Sequence, residues 1–397
     1  MPRLRFPGFE GEWENMRWGN LGLFFGGLTG KTKDDFGVGG SYFIPYMNVY
    51  KNIIADNKML EPVNIRKEEK QNVVKYGDIL LTQSSETIEE IGLASVWIDN
   101  NEPYLNSFCF AFRLNKEGMS PIWFSYLMRS YNVRKLIMRE GQGITRVNLS
   151  SERLKSVILK IPSLEEQEKI ASTLSLLDSR IAAQRKLVEL LKKHKRGLIK
   201  HLFRPIEHTK WKSVRLGDVG TFQKGAPLSK ADISKDGKPF ILYGELYTTY
   251  GEIIKDVVRR TTAEIDISYL SRCVDVIIPT SGETAEEIAT ASCVMSDGVV
   301  LGGDLNIYRS EHIDGRFLAY AVRYIISRDI SRIAQGVSVV HISATELKRI
   351  SVSIPSKDEQ IRIISVLENY DNRILHSYDI LKKLEVTKDG LLQQLFV

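Results

Sequence analysis

The chain has 397 residues, 43% of them apolar, and a net charge of +6 from 55 basic and 49 acidic side chains. That length allows two or three domains with proper cores, and the composition excludes a disordered chain. The mild positive charge permits nucleic-acid binding without demanding it, and no run of about 18 apolar residues suggests a membrane span.

The first block, from Trp13 to Gly27, carries Trp13, Arg17, Gly19, Gly22, Phe24 and Gly27. It runs into GGLTGKT at 26–32, which resembles the end of a phosphate-binding loop. Phe25 stands where that loop needs glycine, so a glycine-rich turn is the better reading. YFIPYMNVY (42–50) and YGDILLT (76–82) read as strands. Glu86, Glu89 and Glu90 follow and suit a solvated acidic helix start better than a metal site. SPIWFSYLMRSY (120–131) has helical periodicity. The expected fold is α+β, with a twisted, partly antiparallel sheet.

At Ile161 the pattern changes to IPSLEEQEKIASTLSLLDSRI, a proline followed by an S-x-x-E capping box at Ser163 and Glu166. An apolar seam then runs through Ile170, Leu174, Leu177, Ile181, Gln184, Val188, Leu191, Lys195, Leu198 and Leu202. Steps of four and three predict a long helix with a coiled-coil seam, interrupted at two polar positions. Its second half, Arg185 to Arg204, is strongly basic. That suits either a phosphate-facing surface or a solvated flank. The linker RPIEHTK, 204–210, follows.

Then the whole pattern recurs. Trp211, Arg215, Gly217, Gly220, Phe222 and Gly225 repeat the opening block. PFILYGELYTTY (239–250), VDVIIPT (274–280), Glu283, Glu286 and Glu287, and GRFLAYAVRYII (315–326) follow in the same order. IPSKDEQIRIISVLENYDNRI begins at Ile354, which is 193 residues (354 − 161) after the first copy. Ser356 and Glu359 repeat the capping box. The seam returns as Ile363, Leu367, Tyr370, Ile374, Ser377, Leu381, Leu384, Lys388, Leu391 and Leu395, with its polar breaks at the same steps. The repeat is too long for a solenoid unit and reads as two whole domains with helical tails, an internal pseudo-dimer suited to paired half-sites.

Catalytic signatures are sparse. There is no G-x-G-x-x-G, C-x-x-C or H-E-x-x-H pattern and no Asn-Pro-Pro-aromatic motif. Short polar side chains at strand ends suit base or phosphate contacts. The candidates are Gln83, Ser84, Ser85, Gln142, Thr145, Arg146 and Asn148 in the first copy. In the second they are Thr280, Ser281, Gln335, Ser338 and His341. The frame repeats while these side chains differ, as two readers of different half-sites require. Neutral drift after duplication gives the same pattern, and ordinary turns are an equal reading of these loops.

Two variable units, each followed by an IPS-x-x-EQ…LD-x-R/I helix, resemble the specificity subunit of type I restriction–modification systems over the whole chain. The second copy departs at Asn369 and Tyr370, where the first has Leu176 and Leu177; Asp178 and Asp371 are retained. The resemblance implies two tandem target recognition domains (1–160 and 205–353), each followed by a helical spacer (161–204 and 354–397). It also implies an antiparallel helix pair and a non-catalytic protein. Independently, the three cysteines, Cys109, Cys273 and Cys293, are far apart and odd in number, which argues against a disulfide framework and fits a reducing cytoplasm. Double-stranded DNA with a bipartite site, two methyltransferase subunits and two restriction/translocase subunits are the expected partners. S-adenosylmethionine, ATP and Mg2+ belong to those partners. Outward helix flanks at Arg180, Arg185, Arg373, Leu392, Leu395 and Phe396 are expected to meet the methyltransferases. A helix of about 40 residues spans about 60 Å, enough to set readers roughly 34 Å apart. A DNA-free coiled-coil scaffold and a stand-alone methyltransferase or nuclease are the alternatives. The first predicts no salt-dependent duplex binding, the second heat on titration with methyl donor.

Overall fold

The computed structural model describes residues 2–204, 210–336 and 339–396, so most of the 204–210 linker lies outside the described residues. The chain forms two compact units. Unit 1 comprises 1–185 and 379–397, and unit 2 comprises 186–378.

Unit 1 is built on a four-stranded antiparallel sheet in the order Gly22–Gly26, Cys109–Leu114, Ile79–Thr82, Ala94–Val96. Ile79, Leu80, Leu81 and Thr82 are all buried, which is why this strand reads as a continuous apolar run. Gly27, matched by Gly225 in unit 2, leaves the first strand under a close backbone. A Cβ would sit 2.2 Å from the Asn106 carbonyl at Gly27 and 1.8 Å from that of Gly302 at Gly225. The helix Pro121–Arg129 covers one face, started by proline at its first turn and capped by Ser120. A smaller sheet pairs Phe36–Ile44 with Glu61–Val63 and, in parallel, with Tyr104–Leu105.

Unit 2 repeats this plan. Thr221–Lys224, Leu305–Arg309, Asp275–Pro279 and Ser292–Val294 form the sheet, with Ile253–Ile254 added in parallel at its edge. Gly315–Tyr324 is the covering helix, capped by Asp314. Buried Asp78 in unit 1 and Asp275 in unit 2 each take a forked contact from an arginine on the neighbouring strand, Arg113 and Arg309.

One expectation fails identically in both units. YFIPYMNVY is not one strand: the strand ends at Ile44, and Tyr46–Lys51 is helical. PFILYGELYTTY likewise gives the strand Lys238–Ile241 and then the helix Glu245–Thr248. Aromatic β-propensity misleads here. Pro45 sits in extended backbone as the N-cap and turns the chain into the helix.

The long helices are Leu164–Leu202, 39 residues, and Lys357–Gln394, 38 residues. They pack against each other antiparallel, and every seam residue named above is buried or half-buried. Each unit takes part of both helices. The Ser163 and Ser356 hydroxyls accept from the Glu166 and Glu359 amides at 3.4 Å. The glutamate side chains turn elsewhere, Glu166 to Arg5 at 2.8 Å and Glu359 to the Trp211 indole at 3.3 Å.

The glutamine of the repeated Glu-Gln pair fastens each helix start to its domain. Gln167 is fully buried; it accepts from the Ser120 amide at 2.9 Å and donates to the Gly118 and Pro162 carbonyls. Gln360 accepts from the Asp314 amide at 2.9 Å and donates to the His312 and Pro355 carbonyls. Both glutamines thus hold the start of the covering helix against the start of the long one.

The polar breaks at Lys195 and Lys388 are ion pairs. In unit 1, Lys388 meets Asp178 at 2.5 Å, and Asp178 accepts from the Tyr126 hydroxyl at 2.7 Å. In unit 2, Lys195 meets Asp371 at 2.5 Å, and Asp371 accepts from Tyr320. Lys195 also reaches Glu252 at 3.0 Å. Burial pushes Asp371 up, against Lys195 and Tyr320. Burial works the same way on Glu252, but Lys195 and the Tyr324 hydroxyl outweigh it and hold that carboxyl below its ordinary value.

Candidate nucleic-acid interface

In unit 1 the strand Ile79–Thr82 leaves the main sheet and, after Gln83, pairs again as Ser84–Ser85. Its new neighbour is Val147–Leu149, which also pairs with Gly141–Gln142. Ser84 and Gln142 both register against Asn148. The two polar clusters, some sixty residues apart in sequence, therefore meet in one three-stranded sheet. Gln142, Thr145, Arg146 and Asn148 are exposed, and Gln83 and Ser84 are half-buried. Ser85 departs from the expectation of a reader: it is buried, and its hydroxyl donates to Glu90. Gly143, at φ +122°, turns the hairpin; a Cβ there would sit 2.1 Å from the Arg146 carbonyl.

Unit 2 makes the same fold-back. Ser281–Gly282 pairs with Val340–His341, with Ser281 opposite His341, and Gln335 exchanges two backbone hydrogen bonds with His341. His341 and Gln335 are exposed, and Thr280 is half-buried. Ser281 is buried, as Ser85 is in unit 1. The Gln335 amide donates to Glu346 at 3.2 Å. Ser338 lies outside the described residues.

Several groups beside these loops escape a reading of the sequence. Tyr46 and Tyr50 stack one helical turn apart, with ring centres 6.2 Å apart and planes 16° from parallel. The Tyr50 hydroxyl donates to Glu90 at 3.3 Å. Half-exposed Phe108 carries the Arg146 guanidinium 5.2 Å from its ring centre. Tyr243 and Tyr247 stand at the matching places in unit 2. Their four-residue spacing is visible in both copies, but the aromatic content of these segments favours a strand. Buried arginines anchor the tyrosine helices. Arg129 donates to the Val49, Tyr50 and Asn52 carbonyls, and burial lowers it to about 10. Arg323 donates to those of Leu246, Tyr250 and Gly251.

The other motifs resolve as structure. Lys31, of GGLTGKT, bonds the Asn64 carbonyl and pairs with Glu69, while Thr32 and Asp35 form a capping box. Glu287 and Thr284 form another at the helix Ala285–Ile288. Among the described residues, no three His, Cys, Asp or Glu side chains gather in a metal-holding group. No helix among them is long and apolar enough to cross a membrane.

The expected partner flanks divide. Arg180, Arg185 and Arg373 are exposed, although Arg185 pairs with Glu385 at 2.5 Å and Arg373 lies over Tyr370. Leu395 and Phe396 are not outward flanks. They are 1% and 2% exposed, in the core of unit 1, with the Phe396 ring 6.1 Å from Trp123. Half-buried Leu392 packs on the same core. These apolar side chains thus find their cover within their own unit. Phe203 does the same in unit 2, stacked on Phe317 at 4.6 Å.

Comparison with known proteins gives one consistent result. The family model described as "Type I restriction modification DNA specificity domain" matches residues 10–193 and again 208–386. The putative type I restriction enzyme MjaX specificity subunit of Methanocaldococcus jannaschii is 26% identical over 88% of this chain and 84% of its own length. The MjaVIII specificity subunit of the same organism is 24% identical over 94% and 89%. The crystal structure of a type I restriction–modification S subunit from M. genitalium superposes with a TM-score of 0.60 at 16% identity, covering 100% of this chain and 99% of that one. A chain from a second type I system gives 0.61 at 17% identity, covering 98% of each.

Proposed function

The chain belongs to the family of type I restriction–modification specificity subunits, and from that premise we propose that its two units read the two halves of a bipartite DNA site independently. The observation that carries this reading is the pair of fold-back loops. Each unit builds the same small sheet at the same place, yet Gln142, Arg146 and Asn148 in one correspond to Gln335, Val339 and His341 in the other. A common frame with different exposed side chains is what two half-sites of different sequence need.

The long helices act as the ruler between readers, and their exposed arginines, Arg180 and Arg373, serve as contacts for methyltransferase subunits. Two such subunits and two restriction/translocase subunits complete the assembly, bringing S-adenosylmethionine, ATP and Mg2+ with them. The chain itself carries no catalytic step; it orients its partners on the duplex. Alone, it binds duplex DNA weakly and with steep salt dependence, because phosphate neutralisation supplies most non-specific affinity.

The test exchanges residues 13–160 for the same unit of a relative and maps the methylated motif of the assembled enzyme. One half of the motif changes and the other stays. A change in both halves, or in neither, overturns independent reading.

A further inference from the structure

A cleft of about 210 Å³ opens beside the fold-back sheet of unit 1, lined by Tyr46, Ser84, Ser85, Glu90, Phe108 and Arg146. Its chemistry is mixed in an informative way. Glu90 accepts one hydroxyl on each carboxylate oxygen, from Tyr50 and from Ser85. A carboxylate has about four acceptor sites, so both oxygens keep capacity. Exposed Glu86 also lines the cleft. Only Glu90 is held in place by two hydroxyls.

A fixed carboxylate on a DNA-facing surface repels phosphate. What it favours is an amino donor on a base edge, cytosine N4 or adenine N6. Arg146 supplies the opposite character. Its guanidinium lies over the Phe108 ring, which limits its freedom and presents its donor edge. That edge matches guanine O6 and N7. One base pair offers an amino donor on one base and two adjacent acceptors on the other. We propose that this cleft reads a C·G pair at a fixed position of the half-site of unit 1, with Glu90 on cytosine N4 and Arg146 on guanine O6 and N7.

Unit 2 lacks the arginine half of this device and holds its carboxylate by other donors. The Glu287 carboxylate, at the place of Glu90, accepts the backbone amides of Glu283 and Thr284. Val339 occupies the place of Arg146. The same reading is therefore not expected in the second half-site.

This inference rests on unit 1 being a DNA reader, and the experiment separates the two claims. Glu90→Gln and Arg146→Gln are each assembled with the methyltransferase subunit, and their motifs are mapped by single-molecule sequencing beside the wild type and the 13–160 exchange. The expected wild-type motif holds an invariant C·G in the half read by unit 1. Each substitution should lower the preference for it roughly 10- to 100-fold, at that position alone. The other half and the spacer stay the same. Unchanged motifs in both variants, with the exchange still altering that half, refute the cleft while leaving DNA reading intact. An exchange that alters nothing refutes the underlying reading. A uniform loss of methylation at all positions, with a lowered melting temperature, shows Glu90 to be loop support and also overturns the proposal.

Discussion

Lys195→Met is the sharpest test of the polar break in the helix seam. The Lys195 side chain is 8% exposed, with Glu252 at 3.0 Å and Asp371 at 2.5 Å. Removing the cation that directly bridges Glu252 and Asp371 leaves two carboxylates in a low-dielectric site, and breaking a buried pair in this way costs about 3–5 kcal/mol. For a unit of this size each kcal/mol moves the melting temperature by about 2–4 °C, so a drop of at least about 6–12 °C is expected. Lys388→Met is the internal control. Lys388 occupies the same step of the repeat, but its side chain is more open than that of Lys195, 20% against 8% exposed, and it meets Asp178 without a counterpart of Glu252. Its loss should cost roughly 1–2 kcal/mol. The pH dependence has a definite sign. Glu252 is held below its ordinary value of 4.5, so its contribution is present above that value and is lost as pH falls through the folded one. Asp371 is raised, so its contribution runs the other way and flattens the wild-type curve. Without Lys195, burial governs both carboxyls, and the variant loses stability as pH rises from about 4.5. The gap to wild type should therefore be small near pH 4 and widest near pH 7, read by calorimetry across that range. Equal losses for the two lysine variants, or a gap independent of pH, would refute the reasoning.

Gln167→Ala leaves the Ser120 amide and two carbonyls without their partner, at a cost of about 2 kcal/mol. Gln360→Ala should match it in unit 2, both read as lower melting temperatures; a loss below 0.5 kcal/mol in either would remove the fastening role. Phe396→Ala empties a core position over Trp123 and should cost about 3–5 kcal/mol, with unit 1 becoming the first target of limited proteolysis. Unchanged protease resistance would contradict that placement. Val274 sits at φ 66°, where unit 1 has Gly77 at φ +87°. Val274→Gly should stabilise unit 2 by about 0.5–1 kcal/mol in thermal unfolding, relieved strain exceeding the added chain entropy; a lower melting temperature would show that the side chain matters more than the backbone.

The helices were legible because their signal is long and doubled. A seam of ten positions over-determines a 3.5-residue period, and a second copy with breaks at the same steps repeats the evidence. Short elements offered no such redundancy. Tyr46–Lys51 spans six residues, too few for a period to declare itself, and aromatic content favoured the strand reading until Pro45 decided the turn. The candidate loops were located by their polar ends after buried strands, which depends on local sequence alone. Glu90 and Phe108 were missed because their relation to Arg146 exists only once the chain has folded back. Ser85 and Ser281 were misjudged for the same reason, since burial decides whether a hydroxyl supports or reads. Leu395 and Phe396 are apolar residues that need cover, and the expectation that partner subunits provide it does not hold. Sequence could not say that the cover is their own unit.

The lysines of the seam and the retained aspartates were both visible, yet only the antiparallel direction joins them. In an antiparallel pair the residue numbers in contact keep a constant sum, and Asp178 with Lys388 has the same sum as Lys195 with Asp371. One contact is therefore made twice, once in each unit. Sliding one helix by a turn would separate both lysines from both aspartates together. It would also set Lys195 and Lys388 against apolar seam positions, where an unpaired ammonium is costly. Leucines alone tolerate such a slide, because neighbouring layers of a coiled coil look alike. A paired charge at one layer makes registers unequal, which is the best-attested use of a polar residue in a seam. Unit 2 carries this further than unit 1. Where Val96 donates to the Ile53 carbonyl in unit 1, Cys293 at the matching strand position donates to that of Glu252, so unit 2 gains a second carboxylate. The duplicated frame thus keeps the register contact in both copies while letting its surroundings diverge, as the two fold-back loops keep their frame while their exposed side chains differ.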